Sequence, residues 1–127
     1  MIDINRTALT LMIWPYWLQI YNILKHRKNY TSVYIVSRLT IHDRSEYDKY
    51  ENGFAEVFEK YDGKMLSVDE EPTVLAGEWE ATRSVIIEFP SKRSAVTWLM
   101  SDEYQEISKH REAGSTQAQY WLRGLNS

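Results

Sequence analysis

From Thr31 onwards, segments with strand character alternate with segments of helical spacing in an order that few folds share. Four stretches are rich in β-branched and aromatic residues or alternate apolar with polar positions, as strands do. They cover residues 31–39, 64–69, 82–89 and 117–124. Two regions of helical spacing separate the first strand from the second and the third from the fourth. The resulting order is β-α-β-β-α-β.

Capping residues mark where the predicted helices begin and end. Asp43 can cap the first helix, and Glu46 stands three residues later, as in a capping box. Large apolar side chains then recur at spacings of three and four, and Gly63 is predicted to end this helix. Ser91 can cap the second helix, and Ser101 can cap a further helical segment. The second helical region is therefore expected to contain two capped pieces.

This order of elements leaves few topologies once β-α-β crossovers are right-handed. It gives two split β-α-β units and a four-stranded antiparallel sheet with the helices on one face. We therefore predict an α+β domain of ferredoxin-like type over residues 31–125. A chain of 127 residues can bury one core without a disulfide or a metal to hold it together.

The two strands expected at the centre of the sheet are apolar on both faces. A half-exposed strand normally alternates apolar and polar residues, but residues 33–36 (VYIV) and 85–87 (VII) do not. With helices on one face only, the other face would expose a larger apolar patch than monomers usually show. We therefore expect a homodimer in which a second copy covers this face. The alternative is that the N-terminal segment covers it within one chain.

Residues 1–30 precede this pattern and are predicted to form a partly helical N-terminal arm. Residues 8–24 are mostly apolar, with Pro15 at a position suited to the start of a helix, and a basic run follows at 25–28. We expect the arm to pack on the domain or on a partner subunit. Membrane contact of residues 8–28 is the less favoured alternative. A spanning helix needs about 20 apolar residues, and the mostly apolar stretch of residues 8–24 is shorter than that.

Composition excludes several classes of function. The chain has no cysteine, which removes disulfides, thiolate nucleophiles and cysteine-ligated metals. A net charge of -3 without a basic patch argues against a nucleic-acid partner. The three histidines lack metal-ligand spacing, and no nucleotide-binding loop is present, so neither a metal site nor a cofactor is expected. The lack of cysteine also fits a cytoplasmic location.

Four segments together resemble the domain of unknown function 1330 family, a member of the dimeric α+β barrel group. They are SRLTIHD (37–43), FEKYDGKMLSVD (58–69), LAGEWEATRSVIIEFPS (75–91) and TWLMSDEYQEISKHR (97–111). The resemblance covers residues 31–125 and implies a ferredoxin-like fold and a dimer, but no activity. The sequence departs from the family pattern at Asp62, where a glycine is usual, and in its additional N-terminal residues.

Glu88 and His42 are the candidate catalytic residues. Glu88 ends an apolar strand, where a carboxylate is costly unless it is paired or exposed. In a pocket its pKa would rise, as a general acid or base requires. His42 follows the first strand directly and could act as a proton shuttle, a common role of histidine side chains. The alternatives are a salt-bridged edge residue for Glu88 and a solvated loop residue for His42.

Arg111, Trp79, Tyr104 and Trp98 match positions of the family pattern and are the candidate ligand-binding residues. Arg111 could hold a ligand carboxylate with two hydrogen bonds, or it could form an ion pair within the chain. The aromatic side chains could form the walls of a cavity for a planar apolar ligand. For Trp98, core packing is the preferred single role.

Two hypotheses of function follow. In the first, a small dimeric protein binds a small, partly apolar organic molecule between sheet and helices. It performs cofactor-free acid–base chemistry with Glu88 or His42 as the base and Arg111 as the anion holder. In the second, the protein is a non-catalytic binding or assembly module in which the same residues are structural. Convergence of Glu88, His42 and Arg111 on one pocket would favour the first hypothesis.

Overall fold

The computed structural model describes residues 31–125. The predicted N-terminal arm of residues 1–30, with its helix and its membrane contact, lies outside the described residues. Within residues 31–125, none of the helices has the length and apolar character that crossing a membrane requires.

Four strands and three helices follow one another in the order that the sequence predicts. They are β1 (Val33–Ile41), α1 (Arg44–Phe58), β2 (Lys64–Asp69), β3 (Arg83–Phe89), α2 (Lys92–Leu99), α3 (Asp102–Gly114) and β4 (Ser115–Arg123). The sheet order is β2-β3-β1-β4, and all neighbouring strands are antiparallel. The helices pack on one face of this sheet. The prediction of an α+β, ferredoxin-like fold is therefore confirmed.

Each helix begins at the capping residue that the sequence indicates. The side chain of Asp43 accepts a hydrogen bond from the backbone N–H of Glu46 at 3.1 Å, and Ser91 and Ser101 act in the same way at α2 and α3. The carboxylate of Glu46 does not complete a capping box but contacts His110 on α3 at 2.5 Å. The cap therefore starts α1, while Glu46 links α1 to the end of α3.

The end of α1 differs from the prediction. The helix stops at Phe58 and Glu59 is its C-cap, so Gly63 does not end it. Among the described residues, positive φ occurs at Gly77 alone, so Gly63 does not use a left-handed conformation. A Cβ at Gly63 would lie 2.5 Å from Cζ of Phe58 and 2.7 Å from Cζ of Phe89. Glycine is needed at this position because the backbone passes close to two core rings.

Aromatic rings dominate the core between sheet and helices. Trp98 is 1% exposed, and its ring centroid lies 4.1 Å from that of Tyr104 and 5.3 Å from that of Phe89. Phe58 meets Trp98 edge-on at 5.5 Å. Such pairs add about 0.5–1.5 kcal/mol each beyond the area that they bury. The predicted core role of Trp98 is therefore present in the structure.

Alternation along the strands gives the sheet two different apolar faces. The helix face carries buried side chains, namely Val33, Ile35, Leu39, Val85, Ile87 and Phe89. The open face carries half-buried or exposed ones, namely Tyr34, Val36, Ile86, Tyr120 and Leu122. These five are neighbours, because Val36 lies opposite Ile86 on β3 and Tyr120 on β4. The predicted apolar second face is thus present, with no described element covering it.

Candidate functional site

A cavity of about 130 Å³ lies between the helix face of the sheet and the helices. It is comparable in size to the cavity of about 150 Å³ that accommodates benzene in an engineered protein core. Its apolar lining is Ile35, Leu39, Phe54, Ala55, Met65, Val85, Ile87, Trp98 and Leu99. Its polar lining is Ser37, Tyr47, Tyr50, Glu51, Arg83, Tyr104, Arg111 and Gln119. A single six-membered ring with a polar group therefore suits its size and chemistry.

Arg111 brings a buried positive charge to this cavity without a close carboxylate. The residue is only 6% exposed. Its Nη1 donates to Oε1 of Gln117 at 2.5 Å, and the nearest acidic oxygen, on the exposed Glu112, is 3.9 Å from Nη2. Its guanidinium carbon lies 5.6 Å from the ring centroid of Tyr50 and 6.0 Å from that of Tyr104. Aromatic faces and one amide offset only part of the cost of burying this cation.

Tyr50 and Tyr104 form a buried hydroxyl pair beside Arg111. Their hydroxyl oxygens are 3.0 Å apart, although the residues stand far apart in the sequence on α1 and α3. Burial holds the pKa of Tyr50 well above its ordinary value, assisted by Tyr104 and opposed by the charge of Arg111. Tyr50 therefore stays protonated at neutral pH and acts as a hydrogen-bonding group rather than as an anion.

Buried polar atoms without a partner cluster around the cavity. Among the described residues there are four such side-chain atoms: Nε of Arg83, Oγ of Ser84, Nε1 of Trp98 and Nε of Arg111. Three of the four are N–H donors on residues that line the cavity. Unsatisfied buried groups are uncommon and each costs about 1–3 kcal/mol. Three residues of the cavity lining thus each keep one N–H without a partner in the described chain.

Arg83 is a second arginine at the same end of the cavity, but its charge is compensated. Arg83 on β3 and Gln117 on β4 both lie opposite Leu39 of the central strand β1. Arg83 forms ion pairs with Glu70 at 2.7 Å and with Glu51 at 3.2 Å. The hydrogen bond from Arg83 lowers the pKa of Glu70 below its ordinary value. Arg111, whose nearest ion pair is the 3.9 Å approach to the exposed Glu112, therefore carries the less compensated charge at this end of the cavity.

The structure brings half of the predicted site residues together. Arg111, Trp98 and Tyr104, all predicted to bind ligand, line the one cavity described above. Trp98 lies on α2, and Tyr104 and Arg111 lie on α3. The family pattern that suggested these residues therefore corresponds to the part of the cavity lining that α2 and α3 form.

The other three predicted residues lie elsewhere. Glu88 belongs to the open face of the sheet, where it lies opposite Tyr34 on β1. His42 is exposed at the end of β1, where its backbone N–H donates to the carbonyl of Gly114. Trp79 is 38% exposed, and its ring lies 4.9 Å from the guanidinium carbon of Arg38. Glu88, His42 and Arg111 therefore do not converge on one pocket.

Several cavity residues were not singled out from the sequence. Tyr47 and Tyr50 belong to the stripe of large side chains on α1, and Arg83 begins β3; none of the three was among the candidate site residues. Burial holds the pKa of Tyr47 above its ordinary value, and the positive charge of Arg83 offsets part of this rise. The available signal was a tyrosine-rich stripe on α1, since hydroxyl groups on an inward-facing helix need partners in the core. Within residues 31–125, no group of three acidic or histidine side chains could hold a metal ion.

Comparison with known proteins identifies the family. The family model for a domain of unknown function, DUF1330, matches residues 32–125. The chain belongs to the DUF1330 family. The predicted resemblance is thereby confirmed, and the matched region contains every residue of the cavity. No curated protein matches the chain.

Solved structures share the fold of this DUF1330 chain at low sequence identity. The RPA0582 protein of unknown function from Rhodopseudomonas palustris is 18% identical, with a TM-score of 0.67 over 86% of this chain and 94% of its own. SnoaB, a cofactor-independent oxygenase from Streptomyces nogalater, is 14% identical, with a TM-score of 0.55 over 72% and 91%. A dimeric ferredoxin-like protein of unknown function from Thermobifida fusca is 5% identical, with a TM-score of 0.56 over 73% and 91%.

Proposed function

We propose that this protein is a homodimer that binds a small aromatic organic anion in the cavity between sheet and helices, with Arg111 as the anion holder. The observation that carries the proposal is the buried guanidinium of Arg111, whose nearest carboxylate oxygen is 3.9 Å away on an exposed side chain. A buried charge is retained at a net cost unless a partner compensates it. A bound anion would supply that partner.

The cavity walls support an aromatic ligand. Trp98 and Tyr104 stand with their ring centroids 4.1 Å apart at one wall, and Phe54 packs against Trp98 edge-on at 6.1 Å. Small-molecule sites typically combine such apolar walls with a few polar groups that fix orientation. The volume of about 130 Å³ limits the ligand to roughly one ring and its substituents.

The contacts support binding more directly than catalysis. Glu51 is the carboxylate among the described lining residues, and it is already paired with Arg83 at 3.2 Å and Arg44 at 3.3 Å. Glu88 and His42 remain predicted acid–base residues, yet neither lies beside Arg111. We therefore propose a non-catalytic binding role, and cofactor-free acid–base chemistry by Glu88 or His42 stays a prediction.

A second copy of the chain is the proposed cover of the open face. Its five apolar side chains form one patch across β3, β1 and β4, and Tyr120 and Leu122 are each about half exposed. Burial of each such side chain contributes about 1.5–3 kcal/mol. The dimeric relative from Thermobifida fusca has the same fold and is consistent with this arrangement. The absence of cysteine agrees with our proposal of a cytoplasmic location.

Benzoate and its neutral analogue benzamide test the ligand proposal. Benzoate is expected to raise the melting temperature of the full chain and to bind in calorimetry, whereas benzamide, which has the same shape without the charge, is expected to bind more weakly. Arg111→Met should weaken benzoate binding by about 2 kcal/mol or more, roughly 30-fold. The unliganded variant should keep or gain stability, because a poorly compensated buried charge is removed.

Lys109→Met is the matched control. It removes a positive charge from the same helix, but Lys109 is an exposed residue paired with Glu106 on the surface. Benzoate affinity should stay unchanged in this variant. Equal binding of benzoate and benzamide, or equal losses in the two variants, would show that Arg111 is not the anion holder.

A further inference from the structure

We infer that the ligand is an aromatic acid longer than one ring. Its acid group lies at Arg111, and the end opposite that group continues out of the cavity into a surface groove beside Trp121. The inference rests on the proposed function, since it names the ligand class of the same site. Its support comes from the continuity of the cavity with this groove and from the position of Arg111 at the far end.

An open groove of about 440 Å³, the Trp121 groove, adjoins the cavity between sheet and helices. It is lined by Ile35, Leu99, Gln119, Tyr120 and Trp121. Three of these residues, Ile35, Leu99 and Gln119, also line the cavity of about 130 Å³. The two spaces therefore meet at these three side chains. Because the cavity holds about one ring, the shared residues mark where a longer ligand can continue.

The strand register places Arg111 and the Trp121 groove at opposite ends of the site. Arg111 donates to Gln117, which lies opposite Leu39 on β1. Trp121 lies opposite Ile35 on the same strand, and both Leu39 and Ile35 line the cavity. A strand rises about 3.3 Å per residue, so these two β1 residues are about 13 Å apart along the strand. An acid group held by Arg111 therefore directs the rest of the ligand along β1 towards the groove.

Gln119 stands at the junction of the cavity and the Trp121 groove. It lies opposite Ser37 on β1, between the two ends of the site. Its Nε2 donates to Oγ of Ser37 at 3.0 Å, which holds the Gln119 side chain against β1. Ser37 is only 5% exposed, whereas Gln119 is an exposed residue. The cavity lining therefore reaches solvent at this junction, beside the edge strand β4.

The chemistry of the Trp121 groove differs from that of the charged end of the cavity. Its described lining is aliphatic or aromatic apart from the amide of Gln119, and it contains no charged side chain. Trp121 is partly buried and packs against the core. The ammonium of Lys92 lies 5.3 Å from the Trp121 ring centroid, but Lys92 is not part of the groove lining. An uncharged ring suits this groove, because aromatic pairs gain energy beyond the area that they bury.

Two isomeric acids with the same charge and the same two rings test this inference. Calorimetry with the full chain compares benzoate, biphenyl-4-carboxylate and biphenyl-2-carboxylate. Biphenyl-4-carboxylate should bind about tenfold tighter than benzoate, because its second ring points away from the acid group and lies in the groove. Biphenyl-2-carboxylate carries its second ring beside the acid group, at the end of the cavity away from the groove. It should bind no tighter than benzoate.

Trp121→Leu separates the groove from the cavity. It should weaken biphenyl-4-carboxylate about fivefold, since contact between two rings is lost, and leave benzoate affinity unchanged. Tyr61→Leu is the matched control, because Tyr61 is also a partly buried aromatic residue packed against the core. Tyr61 lines neither the cavity nor the groove, so both acids should bind this variant as they bind the wild-type chain. Melting temperatures confirm that each variant is folded.

The results distinguish failure of this inference from failure of the proposed function. If benzoate binds through Arg111 but biphenyl-4-carboxylate binds no tighter, the extension into the groove is overturned and the anion site stands. Equal affinities of the two biphenyl isomers, or a full gain that survives in Trp121→Leu, would likewise overturn the extension and leave the anion site in place. If none of the three acids binds, both the site and its ligand class are overturned.

Discussion

The two faces of the sheet are made from the same kinds of residue, yet they have different physical environments. Ile87 on the helix face is 4% exposed and lines the cavity, while its neighbour Ile86 is only half-buried on the open face. Phe89 and Tyr34 repeat the contrast on β3 and β1. Because strand side chains alternate, one step along β3 changes a core residue into a surface residue.

The apolar side chains of the two faces have different roles. The helix face and the helices already form a closed core, so the domain gains its packing energy without the open face. The apolar side chains of the open face therefore add little to the stability of one chain, and an isolated patch of this kind typically marks an interface. The two faces should accordingly respond to the same substitution in different ways.

Ile87→Ala should produce the largest effect. Removing most of this buried side chain enlarges the cavity that Ile87 lines and costs about 2–5 kcal/mol of unfolding free energy. Urea unfolding at several protein concentrations measures this loss, which should be the same at each concentration. The variant tests whether the helix face carries the stability of the fold.

Ile86→Ala is the matched control one residue away. Its loss should depend on protein concentration, because it removes contacts only where a second copy covers the open face. Under conditions where the chain is monomeric, the loss should be much smaller than that of Ile87→Ala. Equal losses at every concentration would remove the distinction between the faces.

Ile86→Asp should break the proposed dimer and is expected to have the second largest effect. A charge in the middle of the open face must be desolvated in the interface, and symmetry places it there twice. We expect the loss to be about 1.5–3 kcal/mol per subunit from the missing apolar contact alone. Sedimentation velocity should show the wild-type chain as a dimer and this variant as a monomer.

Val96→Asp provides the comparison for the dimer test. Val96 is also an exposed apolar residue, 37% accessible, but it lies on α2, away from the open face. It should sediment as the wild-type chain does. A wild-type monomer, or dissociation of both variants to the same extent, would show that the open face is not the dimer interface.

The parts of this structure that were predicted correctly depend on local chemistry or on strand alternation. Asp43, Ser91 and Ser101 were predicted as caps because an N-cap needs only its own side chain and a backbone N–H three residues later. The apolar second face was predicted because residues 33–36 lack polar positions. The end of α1 was predicted wrongly, because the role of Gly63 depends on two rings brought together by the fold.

The cavity was only partly predictable for a related reason. Arg111 was suggested by a family pattern, but its poor compensation depends on which residues α3 meets. The Tyr50–Tyr104 pair joins two helices across 54 residues of sequence, and no local pattern specifies that contact. Glu88 could have been assigned better, since it lies two residues after Ile86 and so shares the open face with it.

Alkaline titration gives the smallest effect but compares tyrosines of the two faces directly. Burial holds the pKa of Tyr50 well above 10.0, and partial burial with the neighbouring Glu88 raises the pKa of Tyr34 on the open face. If folding raises the pKa of a tyrosine, its ionisation does not lower the free energy of unfolding at pH values below the pKa that it has in the unfolded chain. Above that pH, the unfolded chain loses the proton first, so stability falls as pH rises.

Tyr50→Phe should therefore reduce the alkaline loss of stability by about 1 kcal/mol for each pH unit above 10, until the folded tyrosine itself ionises. At neutral pH the same variant should lose about 0.5–1.5 kcal/mol, because Tyr104 is left without its partner. Urea unfolding at pH 7 and across pH 10–11 measures both.

Tyr34→Phe should remove a smaller part of the alkaline loss, and that part should grow with protein concentration if a second copy buries the open face. A larger effect at Tyr34 than at Tyr50 would place the more deeply buried hydroxyl on the open face and reverse the assignment of the two faces.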